Sequence, residues 1–244
     1  MTDNLEVLGT MLPRLVDGLV ITLQLTAGGA VLAFVVAVVL GLAAGHPSRV
    51  ARGPARVVIE FFRGTSLLVQ LFWLFYVMPM LGVSLDALLT GVLALGLNYG
   101  AYGADVVRGA IRSVPRGQWE ASVALGLSPA RRMVRVVWPQ AWAIMIPSLS
   151  NLAVMLLKGT AVAYVILMHD ITFVTEQLRQ RTNDTFFAYG VGMLMYFAIA
   201  YCIVVAANAL EARAKHRLGT GPPLKDVLRP RLPARGRAGA GVSG

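Results

Sequence analysis

Metal ligands and redox groups are nearly missing from this chain. It has one cysteine, Cys202, inside an apolar run, where a small buried thiol is expected rather than a reactive one. Its three histidines, His46, His169 and His216, are scattered without ligand spacing, so no metal site is expected. Catalytic signatures are missing too. The sequence has no G-x4-G-K-[ST] phosphate loop, no H-E-x-x-H and no G-x-S-x-G, so the residues for ATP hydrolysis, metalloproteolysis and serine hydrolysis are not there. No internal repeat is evident. Charge is scarce: 14% of the 244 residues are Asp, Glu, Lys or Arg, against 57% hydrophobic. A soluble domain of this length needs more polar surface to cover its core.

What is present is long apolar runs, each near the roughly 20 residues that cross a bilayer as helix. Five spans are expected, at about residues 15–44, 57–78, 87–107, 141–168 and 186–210, in an all-α integral membrane fold. The formal charge of +10 is distributed with them. Most Lys and Arg fall in segments 49–56, 108–135 and 213–237, while Asp3, Glu6, Asp17, Asp86, Asp170, Glu176 and Asp184 lie outside them. Such alternation is the mark of topology, because short cytoplasmic loops collect Lys and Arg, so it points to membrane lipid rather than nucleic acid. The basic loop after the first span sets the N-terminus outside and, with five spans, the C-terminus inside. Arg179 and Arg181 break the pattern, though acids surround them. The first run is too long and its flank too acidic for a cleavable leader. Residues 1–14 read as an external segment, 15–215 as the transmembrane domain and 216–244 as a disordered basic cytoplasmic tail. Gly41-x3-Gly45 and Gly96-x3-Gly100 would let helices approach closely.

The centre of the chain reads "EASVALGLSPARRMVRVVWPQ", residues 120–140. Pro115 and Gly117 are expected to end the third span. A short helix then runs over 118–125, with Gly126 placed to cap its C-terminus. Ser128-Pro129 is a helix start, Ser as N-cap and Pro in the first turn. The result is a helix–turn–helix at 115–139 in a cytoplasmic loop. By composition alone it reads equally as a helical segment lying on the membrane, its arginines near lipid phosphates.

Spacing adds a resemblance. Glu120-Ala121-Ser122, three residues to Gly126, then nine to Val136-x-Trp138-Pro139 resembles the E-A-A loop of permease subunits of ATP-binding-cassette importers, with Ser122, Val136 and Trp138 replacing Ala, Ile and Leu. The resemblance covers most of residues 10–215 and is closest to the polar amino-acid subgroup, the histidine and glutamine type. "GLVITLQLT", "EFFRGTSLLVQL" and "LNYGAYGADVVRGAIRSVPRGQWEA" all look like that subgroup, with Ser66 where Pro is usual. "LLKGTAVAYVI" resembles its L-L-K-D-T-S-L, with Gly159 and Ala161 in place of Asp and Ser, which removes a carboxylate near the translocation path. "LKGTA" and "MHDITF" look closer to the ectoine and hydroxyectoine branch.

The resemblance implies a type I importer permease of the bacterial plasma membrane, itself not an enzyme and binding no cofactor. ATP and Mg would sit on a separate cytoplasmic ATPase dimer. A second permease subunit, the same or similar, and an extracytoplasmic solute-binding protein would complete it. The loop residues Gln118, Glu120, Ala121, Ser122, Gly126, Leu127 and Pro139 would couple to the ATPase. The solute expected is small and polar or zwitterionic, a polar amino acid or an ectoine-like compatible solute. Candidates along its path are Glu60, Arg63, Asn98, Tyr102, Asn151 and Lys158. Glu60 and Arg63, three apart on one helix face, could equally pair at the helix entrance. Lys158, deep in span four, costs at least roughly 2.5–3.5 kcal/mol to insert uncompensated, so it lines a cavity or meets an acid. Asn98, Tyr102 and Asn151 read either as solute contacts or as bonds between helices. Two other classes compete: an ion-coupled secondary transporter, for which mid-membrane ion ligands and related halves are not seen, and an intramembrane enzyme, for which no catalytic set is seen.

Overall fold

The computed structural model describes residues 2–217, and the tail expected beyond them lies outside the described residues. All of it is helix and short connections. α1 (Thr2–Gly45) is followed by α2 (Arg49–Gly64), α3 (Leu67–Phe72), α4 (Ala87–Arg112), α5 (Arg116–Ala124), α6 (Pro129–Arg132), α7 (Trp138–Gly159), α8 (Ile171–Thr182) and α9 (Thr185–Arg217). Four stretches are long and apolar enough to cross a membrane: Asn4–Gly45, Ala87–Arg112, Pro129–Ile166 and Thr185–His216. Four of the five expected spans are therefore continuous helical stretches. α1 is longer than expected: the residues assigned to an external segment are its first turns, and at ~1.5 Å per residue it reaches roughly 66 Å.

The expected second span is a correction. Residues 57–78 are not one rod: α2 and the stretch Leu67–Leu81 meet at 101° around Thr65 and Ser66. A hydropathy window averages across a two-residue break and misses it. α2 opens on Arg49, Arg52 and Arg56, which suit an interface, and continues into Val57, Val58, Phe61 and Phe62 before Arg63. After α3 the helix widens into a π turn at Trp73–Val77 and tightens to 3-10 at Met78–Leu81. A second π turn, Met133–Val137, leads into α7. Each precedes a proline by one residue, Met78-Pro79 and Trp138-Pro139, because proline cannot donate to the ladder and crowds the carbonyl four residues back. Gly117 does not end a helix as expected. α4 stops at Arg112, Pro115 is the N-cap of α5, and Gly117 sits in the first turn of α5.

α1 and α4 form the centre. A Cβ at Gly96 would lie 2.5 Å from Leu32 Cδ2, and one at Gly100 2.7 Å from Val36, so α4 receives the side chains of α1 in glycine hollows. Gly41 belongs to the same contact, facing Val107, whereas Gly45 faces open space. At one end of the bundle Ala37, Val107, Val114, Val137, Ala141 and Met145 pack under α5. At the other, Met11, Leu15, Val174, Leu178 and Ala188 hold α8, a helix the hydropathy pattern did not mark, against α1. Asp170 caps α8 by accepting from Phe173 N at 3.0 Å and is itself fully buried. Burial pushes its carboxyl above the usual range, opposed by hydrogen bonds from Phe173, Thr172 and Tyr196. Thr22 Oγ1 accepts Ile171 N–H at 3.1 Å, pinning the same turn to α1. Arg179 is compensated in place, with Glu176 at 2.6 Å.

Candidate functional site

The sequence places two functional regions, and the structure builds them as a handle and an elbow. The handle is α5, the turn after it and α6. Gly126 lies at φ +68, the left-handed region. Its N–H donates to Val123 O at 2.8 Å and Leu127 N–H donates to Ser122 O at 3.1 Å. That pair of bonds is the Schellman closure, in which a glycine turns the chain back and satisfies the last carbonyls. Ser128 has the extended backbone of an N-cap, but its side chain makes no capping bond.

Within α5 the two faces differ. Ser122 is buried, donating to Trp119 O at 2.6 Å, and Trp119 packs with the cluster beneath. Gln118, Glu120 and Ala121 face outward with Val123 and Leu125, the last two 55% and 78% exposed. Leu127 is half-buried and Pro139 exposed at the start of α7. Gln140 Nε2 donates to Gln118 Oε1 at 3.3 Å and to Val136 O at 2.9 Å, tying the handle to the span that follows.

The elbow is the break between α2 and α3. Ending a helix at span depth strands its last carbonyls, each of which would cost several kcal/mol unpaired in hydrocarbon. Side chains meet them one by one. Thr65 Oγ1 donates to Phe61 O at 2.8 Å, Gln70 Nε2 and Asn98 Nδ2 each to Phe62 O at 3.0 Å, and Tyr102 OH to Arg63 O at 3.3 Å. Gln70 also bonds Thr65 Oγ1 at 2.6 Å. Arg63 reaches Asp105 at 2.8 Å and Glu60 at 3.5 Å, with its guanidinium 5.4 Å above the Tyr102 ring. Arg108 takes the other oxygen of Asp105 at 2.6 Å.

Of the six path candidates, Glu60, Arg63, Asn98 and Tyr102 thus come together at the elbow. Glu60 is largely exposed, so its pairing with Arg63 is the weaker of the two acid contacts. Asn151 and Lys158 lie elsewhere, on α7. Both are exposed on this chain, and with Ile144, Ser148 and Met155 they fall on one stripe at i, i+4, i+7 spacing. Lys158 makes no ion pair among the described residues. Gly159, in the position of the missing Asp, has a specific neighbour. A Cβ there would lie 2.6 Å from the Tyr99 hydroxyl, which donates to Met155 O at 2.9 Å. The cleft beside it between α1, α4 and α7, about 190 Å3, is lined by Tyr99 with Ala30, Ala33, Phe34 and other apolar residues.

Sequence reading missed Asp105, Gln70 and Thr65. The signal was available for the first: Asn98, Tyr102 and Asp105 stand at i, i+4 and i+7 on α4, ahead of the arginines of its last turns. No group of three or more His, Cys, Asp or Glu capable of holding a metal occurs among the described residues.

Known proteins share this architecture. The sequence profile of binding-protein-dependent transport system inner membrane components matches residues 37–216. The probable amino-acid ABC transporter permease protein y4tF of Sinorhizobium fredii is 41% identical over 79% of this chain and 83% of its own. The L-cystine transport system permease protein TcyB of Bacillus subtilis is 34% identical over 82% and 86%. A chain in the crystal structure of an amino acid ABC transporter with histidines superposes with a TM-score of 0.77 at 30% identity, covering 84% of this chain and 96% of that one. The inward-facing MetNI methionine ABC transporter gives 0.73 at 18% identity over 84% and 98%, a likeness of fold.

Proposed function

The chain belongs to the family of binding-protein-dependent transport system inner membrane components, and from that membership we propose that it translocates a small polar or zwitterionic solute inward. It is a multi-pass, non-catalytic permease subunit, the ATPase being a separate protein in such systems. A polar amino acid is the solute class that the relatives' names support, with an ectoine-like compatible solute as the finer expectation from "LKGTA" and "MHDITF". A solute-binding protein delivers it at the end that carries α8. The handle end, with Arg49, Arg52, Arg112, Arg116, Arg131 and Arg135, faces the cytoplasm, as the positive-inside rule requires. There an ATPase dimer, holding ATP and Mg, takes the outward residues of α5 in a groove, and its closure moves α7 through the Gln118–Gln140 link and α4 through Val114.

One observation carries the proposal: the α7 stripe that ends in Asn151 and Lys158 lies at span depth and its own chain leaves it uncovered. Amide and ammonium groups do not face hydrocarbon, so a second permease subunit covers this face and encloses a polar path with it. Reconstituting the permease with its ATPase and binding protein in vesicles tests this. Lys158→Met should cut ATP-driven uptake at least tenfold while the complex assembles normally. Unchanged uptake would remove Lys158 from the path. Sidedness is read separately. Cys202 is exposed on this chain rather than buried as expected, so in a Cys202→Ser background Gln118→Cys should react with impermeant reagent only from the cytoplasmic side. Calorimetry on the binding protein names the solute.

A further inference from the structure

At the handle end a cavity of about 550 Å3 opens between the end of α1, the last turns of α4 and the start of α5, within the roughly 300–1,000 Å3 range of ligand sites. Its walls are apolar: Leu42 from α1, Ile111 from α4, Trp119 from α5 and Met133 from the π turn beyond. Arg108 and Arg112, four residues apart on one face of α4, line it together with Arg116 from the first turn of α5. None of the described lining residues is acidic. Arg108 already has its partner in Asp105 at 2.6 Å. Arg112 and Arg116 are exposed and make no ion pair among the described residues. His46, at the mouth, is occupied on one side by accepting Ser48 N–H at Nδ1, 3.1 Å away.

Two uncompensated guanidinium groups over apolar walls select a ligand with both characters. A free inorganic anion would leave Leu42, Ile111 and Trp119 unused, and a purely apolar ligand would leave the arginines without a partner. The arginine fork matches phosphate oxygens two at a time. The cavity also sits where α1 and α4 end, the depth of the head groups. The cytoplasmic leaflet is anionic, and basic pockets between spans on that side suit phosphate head groups.

We propose that this cavity binds an anionic phospholipid of the cytoplasmic leaflet, its phosphate on Arg112 and Arg116 and its first methylenes along Leu42, Ile111 and Trp119. The proposal rests on the orientation given above. A lipid seated there touches α1, α4 and α5 together, so it splints the handle to the first span and makes coupling depend on leaflet charge.

Native mass spectrometry of the purified permease–ATPase complex, with phosphatidylglycerol and phosphatidylcholine supplied in equal amounts, tests it. The parent should retain phosphatidylglycerol at least tenfold over phosphatidylcholine. Replacing Arg112→Gln and Arg116→Gln together should abolish that preference, since these are the two guanidinium groups that line the cavity without an ion pair among the described residues. Leu42→Glu, which keeps every arginine but adds a carboxylate to the cavity, should do the same and stands in if the double variant fails to assemble. Arg49→Gln with Arg52→Gln, at the same end but outside the cavity, should leave the preference intact. Equal retention of both lipids by the parent overturns the proposal, as does preference surviving Leu42→Glu, or equal loss in the Arg49/Arg52 variant. Displacement by glycerol 3-phosphate at the lipid's own concentration overturns the lipid in favour of a soluble phosphate. Loss of the proposal with Gln118 still labelled from the cytoplasm leaves the orientation standing. Labelling from outside overturns the orientation and moves the cavity to the other leaflet.

Discussion

The elbow and the handle are both interruptions of helix, and they are closed by opposite means. At the elbow the stranded carbonyls of α2 are met by side chains from α3 and α4, with Gln70, Asn98 and Tyr102 each committed to one or more of them. At the handle the carbonyls of α5 are met by the chain's own backbone at Gly126 and Leu127, and of the outward side chains only Gln118 is engaged, by Gln140, among the described residues. A break finished by a neighbour is part of the bundle and moves with it. One finished by itself is a rigid piece held out for something else. Stability therefore resides in the first and coupling in the second.

Variants sharpen or break that division. The largest loss of stability is expected for Gln70→Leu with Asn98→Leu, which orphans Phe62 O at span depth and should cost about 3 kcal/mol. Chemical denaturation of the detergent-solubilised permease measures it, and a loss under 1 kcal/mol means the elbow is not held as described. Asp105→Asn comes next. It leaves Arg63 and Arg108 sharing a neutral amide, and should cost about 2 kcal/mol, less than the 3–5 of a fully buried pair because all three groups are about a third exposed. Replacement by Glu should restore most of it.

Gly126→Asp crosses from the elbow to the handle. A side chain at φ +68 costs about 1 kcal/mol, so the permease should fold, yet ATP-driven uptake should fall at least tenfold with the ATPase still bound. Normal transport in that variant would remove α5 from coupling. The smallest stability effect belongs to Val123→Ala with Leu125→Ala: within about 0.5 kcal/mol of the parent, because both are exposed, but with weaker copurification of the ATPase. If that pair instead melts the permease, the outward face is packed within the chain and the contrast fails.

The two regions were unequally legible. The handle announces itself because each of its turns needs a particular residue: glycine at the left-handed position and Ser-Pro at the restart. Helix 116–124 stands within two residues of the expected 118–125. The elbow is silent, since Phe61, Phe62, Leu67 and Leu68 are equally apolar on either side of the break and a periodicity count runs straight through. Asp105 lies three residues ahead of the basic segment that opens at Arg108, and only the bend of α2 brings Arg63 to it. α8 was hidden for the opposite reason. A helix with Glu176, Gln177, Arg179, Gln180 and Arg181 has no hydropathy signal, yet Val174 and Leu178 bury it against α1.

The glycine hollows of α4 also set an order of events during synthesis. Leu25, Leu32 and Val36 have no place to dock until Gly91, Gly96 and Gly100 arrive about 65 residues later, a wait on the order of 3–13 s at ~5–20 residues per second. The acid that neutralises Arg63 comes on the same helix. Until α4 enters the bilayer, everything made before it is an open clasp, and truncating the chain anywhere ahead of Ala87 should leave a product for the membrane quality-control proteases rather than a stable half.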